Sequence, residues 1–167
     1  LLAILAIALL VATAWRYRWR TALRAGALAI VVAGAVAFVA QQAGQGPRRD
    51  RVNWQPLSEQ AIASALAEHK RVFIDVTADW CVTCKANKYN VLLRDDVQQA
   101  LLAPDVVALR GDWSRPSADI SQFLTARGSA AVPFNQIYGP ELPQGQILPA
   151  LLDREHLLAT LSAAKGK

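Results

Sequence analysis

The sequence predicts an α/β domain, a sheet covered on both faces by helices, set behind a membrane-spanning helical hairpin. Three observations carry this. Short apolar runs of strand length alternate with helical stretches through residues 57–167, and Val72-Phe73-Ile74-Asp75-Val76 has the near-continuous apolar pattern of a strand buried on both faces. Residues 1–43 hold only four charged side chains, Arg16, Arg18, Arg20 and Arg24. Between the two regions lies a polar stretch with Gly44, Gly46, Pro47 and Pro56, which reads as a linker over 44–56.

The 167 residues are 53% hydrophobic and carry a net charge of +5. The apolar excess is concentrated before residue 44, and the remaining residues are enough for one core. Arginines cluster at Arg16–Arg24 and again at Arg48, Arg49 and Arg51. They flank apolar runs instead of covering one face of a folded domain. The basic balance therefore points to a lipid surface and not to nucleic acid.

Residues 1–14 are apolar apart from Thr13. As a helix they span roughly 21 Å at about 1.5 Å per residue, short of the roughly 30 Å hydrocarbon core. They are expected to be the tail of a first span of a longer chain. Trp15-Arg16-Tyr17-Arg18-Trp19-Arg20 suits the headgroup region, and residues 21–43 form the second span. Gly26, Gly34 and the many alanines of that span would let another helix approach closely. A signal peptide would carry its charges ahead of the apolar run, whereas here they follow it. The positive-inside rule puts the Arg-rich turn in the cytoplasm and sends residues 44 onward across the membrane.

In the domain, Ser58 caps a helix from Glu59 to about His69. The strand at Val72–Val76 leads at once into Trp80-Cys81-Val82-Thr83-Cys84-Lys85 and a helix toward Tyr89. Asp95 or Asp96 caps a short helix through Leu102, and Val106–Leu109 is a second strand. Asp119–Arg127 is a helix stopped by Gly128. Val132–Tyr138 is a third strand and Gly139-Pro140 a turn. Gln146–Leu148, extending toward Leu152, is a last strand, and Asp153 caps a final helix with Leu157, Leu158 and Leu161 facing inward.

The two cysteines are the only ones and stand three apart. Such a small loop constrains little of an unfolded chain. Disulfide exchange, in contrast, needs an attacking thiolate and a nearby thiol to resolve the mixed disulfide. At a helix start, free N–H groups favour a thiolate on Cys81, expected to be the accessible, attacking sulfur, with Cys84 resolving. Lys85 and Lys88 add positive charge nearby. Asp75, inside an apolar strand, is a candidate to exchange a proton with Cys84. The candidate catalytic residues are thus Cys81, Cys84 and Asp75. Pro133 inside a strand pattern is acceptable if its peptide is cis, so that Val132 and Pro133 face the cysteines and dock an extended chain. Trp80 is expected as a partly exposed lid. A zinc site needs about four ligands, and His69 and His156 form no second pair. No metal site and no cofactor beyond a redox-active Cys81–Cys84 disulfide is expected.

Asp75-Val76-Thr77-Ala78-Asp79-Trp80-Cys81-Val82-Thr83-Cys84-Lys85, followed by Val132-Pro133, resembles the thioredoxin superfamily over roughly residues 57–165. Ala78–Lys85 is narrower and resembles the C-terminal domain of the DsbD-type thiol:disulfide interchange proteins, including the copper-sensitivity suppressor ScsB branch. The resemblance implies a thioredoxin-like fold, a central mixed sheet flanked by helices. It also implies a protein-disulfide reductase of the bacterial inner membrane with this domain in the periplasm. Electrons would come from cysteines of a membrane core and pass to periplasmic thiol proteins. Cys81 and Cys84 match the family's redox pair, Asp75 its buried carboxylate and Pro133 its cis-proline. Lys88 departs from a Glu that members often carry seven residues after the first cysteine. The competing readings are a membrane-anchored thioredoxin-like protein of cytochrome c maturation, a copper- or zinc-binding CxxC module, and an interaction module with incidental cysteines.

Overall fold

A computed structural model describes residues 7–9, 11–12, 15–19, 27, 30–37 and 49–166. The chain divides into two compact units, Leu1–Pro47 and Arg48–Lys167. In the first, the described residues are helical. Among the described residues, no helix is long and apolar enough to cross a membrane. The expected spans 1–14 and 21–43 run largely through residues outside those described, as do residues 44–48 of the expected linker.

The second unit is built on a five-stranded sheet. In chain order its elements are β1 (Gln55–Pro56), α1 (Glu59–Ala67), β2 (Arg71–Thr77), α2 (Val82–Asn87), a π-helical turn (Lys88–Leu92), α3 (Asp95–Leu101), β3 (Val106–Asp112), α4 (Ala118–Thr125), β4 (Phe134–Gly139), β5 (Leu142–Ile147) and α5 (Arg154–Ala163). The strand order is β1-β3-β2-β4-β5. Strands β1 and β2 run parallel to β3, whereas β4 is antiparallel to β2 and β5 to β4. The sheet is therefore mixed, as expected.

Successive residues of a strand face opposite sides of its sheet, and β2 shows what that does here. Val72, Ile74 and Val76 pack with Ile62, Phe123 and Leu124 from α1 and α4. Phe73 packs on the other side with Val97, Leu157 and Leu161 from α3 and α5. Asp75 shares the Phe73 face, and this parity brings it to the side of the cysteine helix. Burial on both faces explains the nearly unbroken apolar run.

Local chemistry sets the boundaries. Ser58 accepts from the Ala61 N–H and starts α1, and Asp153 accepts from the His156 N–H and starts α5. Gly128 has φ 71° and lets Ser129 N–H return to Leu124 O, closing α4.

Several expectations need correction. The helix after the cysteines does not run regularly to Tyr89: it is α-helical to Asn87 and then widens into the π turn, so that the consecutive Val91, Leu92 and Leu93 are all buried. Arg94, not an aspartate, holds the capping position of α3, with Asp95 and Asp96 in its first turn. The last strand begins at Leu142, not Gln146. Pro143 lacks an N–H and is tolerated because β5 lies at the sheet edge.

The described part of the 44–56 stretch is no linker. Val52 is buried in the core, Trp54 packs 6.0 Å from Phe73, and Gln55–Pro56 pair with β3. Pro56 fits because its strand, too, is an edge.

Candidate active site

Cys81 caps α2 with extended backbone (φ −83°, ψ 106°), and its Sγ accepts the Cys84 N–H at 3.1 Å. A free first-turn amide of the helix, the third, thus points at the sulfur that would carry a thiolate. Cys81 and Cys84 are joined in a disulfide with Cα atoms 5.2 Å apart. The loop leading in is held by Cys81 N–H to Ala78 O and Asp79 N–H to Ser114 Oγ, and Ser114 in turn bonds Asp112.

The two cysteines are equally covered in this oxidised form, 6% exposed for Cys81 and 5% for Cys84. The expected greater accessibility of Cys81 is therefore not a property of the disulfide state. Ala78 and Val132 cover the pair, and the Val132–Pro133 peptide is cis. On either side of Cys81 in the chain, Trp80 is 61% exposed and Val82 79%. The structure thus places Trp80, Cys81, Cys84, Val132 and Pro133 in one region.

On the far side of Cys84 opens a cleft of about 370 Å³, lined among others by Asp75, Lys85, Lys88, Tyr89 and Arg110. The π turn brings Lys88 and Tyr89 to this lining. Asp75 is buried, and its Oδ1 accepts from the Asn135 amide at 3.0 Å. Its Oδ2 accepts from Arg110 Nε and Nη2, both at 2.9 Å. Burial pushes the Asp75 carboxyl above the usual range. The Arg110 charge and the hydrogen bonds from Asn135 and Arg110 oppose this without cancelling it, while the Asp50 charge adds to the rise.

Sequence reasoning missed Arg110, Asn135 and Asp50. Arg110 lies opposite Asp75 in the β2–β3 register and Asn135 opposite it in the β2–β4 register. Asn135 had a detectable signal, one of two adjacent polar residues, with Gln136, in a mostly apolar strand. Arg110 sits just past the expected end of its strand, and register is not written in either strand alone.

The fold and the site define a thioredoxin-like domain, and a family description of that kind matches residues 53–140. The chain belongs to the thioredoxin-like family. It is 34% identical over 88 residues to the thiol:disulfide interchange protein DsbD of Cronobacter sakazakii. That match covers 51% of this chain but only 15% of the relative. The Neisseria meningitidis DsbD C-terminal domain in the reduced form shares the fold, with TM-score 0.52 and 19% identity, covering 66% of this chain and 100% of that one. A Thermus thermophilus thioredoxin superposes equally well, with TM-score 0.52 and 19% identity over 66% of this chain and 85% of its own.

Proposed function

We propose that this domain reduces disulfides in periplasmic thiol proteins and is itself re-reduced by cysteines of a membrane-embedded core in a longer protein. The observation that carries the reading is the Cys81–Cys84 disulfide at the start of α2, with Cys84 and the buried Asp75 lining one cleft. The similarity to DsbD and the apolar stretches 1–14 and 21–43 support placement beside a bacterial inner membrane, with the domain on the periplasmic side.

The chemistry runs from the reduced form. The Cys81 thiolate attacks one sulfur of the partner's disulfide; that S–S bond breaks, a mixed disulfide forms and the partner's other sulfur leaves as a thiolate. Cys84 then gives its proton to the Asp75 carboxylate, and the Cys84 thiolate attacks Cys81 Sγ. The mixed disulfide breaks, the partner leaves with two reduced sulfurs, and the Cys81–Cys84 disulfide re-forms. Two electrons have moved from the domain to the partner. Trp80, Val132 and Pro133 offer the apolar surface and backbone against which an extended partner segment docks. Lys85 and Lys88 favour the thiolates, and Lys88, in the position where related domains often have a Glu, makes that bias stronger.

Among the described residues, no group of three or more His, Cys, Asp or Glu side chains is placed to hold an ion.

Trapping tests the reading. Cys84→Ser, reduced and mixed with a disulfide-containing protein, should accumulate a mixed disulfide through Cys81, and Cys81→Ser should not. Accumulation through Cys84 instead would reverse the assigned roles, and turnover by either single-cysteine variant at the wild-type rate would remove the dithiol mechanism.

A further inference from the structure

Arg110 stands between two carboxylates, and only one of them belongs to the site described above. Its Nε and Nη2 serve Asp75, and its Nη1 lies 3.2 Å from Asp50 Oδ2. The guanidinium is stacked over Trp54, 3.7 Å from the ring centroid. The same Asp50 oxygen accepts from Trp54 Nε1 at 2.9 Å, while Asp50 Oδ1 accepts from the Val52 N–H at 3.2 Å and Gln98 Nε2 at 3.3 Å. The segment before β1 is thereby clipped onto β3 beside the carboxylate that serves Cys84.

One guanidinium shared by two carboxylates leaves the group one positive charge short when both are ionised. Like charges so placed push a proton onto one member. The structure says which. The Asp50 side chain is 21% exposed and the Asp75 side chain 8%. Burial works against the charged form of Asp50, but the hydrogen bonds from Trp54 and Gln98 and the Arg110 charge outweigh it and hold its carboxyl below the usual range. Asp50 stays ionised, and Asp75 is the member whose proton affinity rises, so that its carboxylate can accept the Cys84 proton during exchange.

We infer that Asp50 is a positioning residue for thiol exchange: by occupying one arm of Arg110 and placing a second negative charge beside it, Asp50 keeps Asp75 able to hold the proton it receives from Cys84. The inference rests on the proton role given to Asp75 above. The other groups facing Asp75 are Asp79 after β2, Asp112 on β3, Lys85, Lys88 and Tyr89 from α2 and the π turn, and the uncharged Asn135 from β4. None of them changes when Asp50 is replaced, so a difference between variant and wild type reports Asp50.

The test is a 13C carboxyl titration of Asp75 in the full-length chain, reduced, as wild type, Asp50→Asn and Asp50→Glu, with the pH profile of the Cys84-dependent release step measured in parallel. Asp50→Asn should move the Asp75 midpoint and the profile to lower pH, and Asp50→Glu should move both back toward wild type. Asp50→Ala, which also removes the hydrogen bonds, guards against a local rearrangement specific to Asn and should shift the midpoint the same way. An Asp75 midpoint that stays in place in both uncharged variants overturns the inference. Failure of the proton role itself looks different: the carboxyl titration would shift while release remained indifferent to Asp75→Asn.

Discussion

At Asp75, burial and pairing act in opposite directions. Burial favours the neutral acid, Arg110 and Asn135 favour the carboxylate, and burial prevails. A carboxyl raised in this way can take a proton from a thiol near neutral pH, which an ordinary surface aspartate does poorly. Asp75→Asn should therefore slow partner release at pH 7 by about 10²-fold, read by stopped-flow after mixed-disulfide formation. The same shift has a consequence for stability. A group that is harder to ionise in the folded state stabilises the fold below its unfolded ionisation, and that contribution is lost as pH rises through its native one. Wild-type stability should decline over that rise, and Asp75→Asn should flatten the curve, measured by denaturant unfolding at a series of pH values. The charge inside the apolar run was legible from the sequence as a candidate, but the direction of its shift was not. That direction depends on Arg110 and Asn135, which reach Asp75 only through strand register.

The element that presents the cysteines is anchored at its far end. Asn87, the last α-helical residue of α2, donates its amide to Ala150 O at 2.8 Å and accepts the Leu152 N–H at 3.0 Å. Asn87→Ala leaves the buried Leu152 N–H and the part-buried Ala150 carbonyl without partners and should cost about 1–3 kcal/mol, measured by chemical denaturation of the oxidised protein. A loss below about 0.5 kcal/mol would mean that the loop re-pairs. Elements defined by local chemistry were readable in advance: Ser58 and Asp153 start their helices and Gly128 stops its own, as expected. The π turn was not, because Lys88–Leu92 has an ordinary helical composition and only the need to bury Val91, Leu92 and Leu93 together widens it. Strand β1 was hidden by Pro56, which reads as linker until the edge position is known.

For the molecule as a whole, the important revision lies where the domain begins. Residues 50–56 are part of the domain and touch the active-site network through Arg110. Trp54→Ala removes the contact with Phe73 and the stack under Arg110 and should cost about 2 kcal/mol. Unfolding midpoints would show it, and an unchanged midpoint would return this segment to the status of a linker. The fold class and the cysteine motif were plain in the sequence because both are carried by contiguous residues, whereas the coupling of Asp50 to Asp75 joins three separate segments. The proposed function rests above all on electron donation by Cys81–Cys84. Equilibrating the full-length chain with glutathione buffers, with the reduced fraction read by thiol alkylation, tests that most directly. The expected potential is far more negative than about −120 mV, on the side of the roughly −270 mV of thioredoxin. A value near about −120 mV, the range of a strong oxidant, would contradict it.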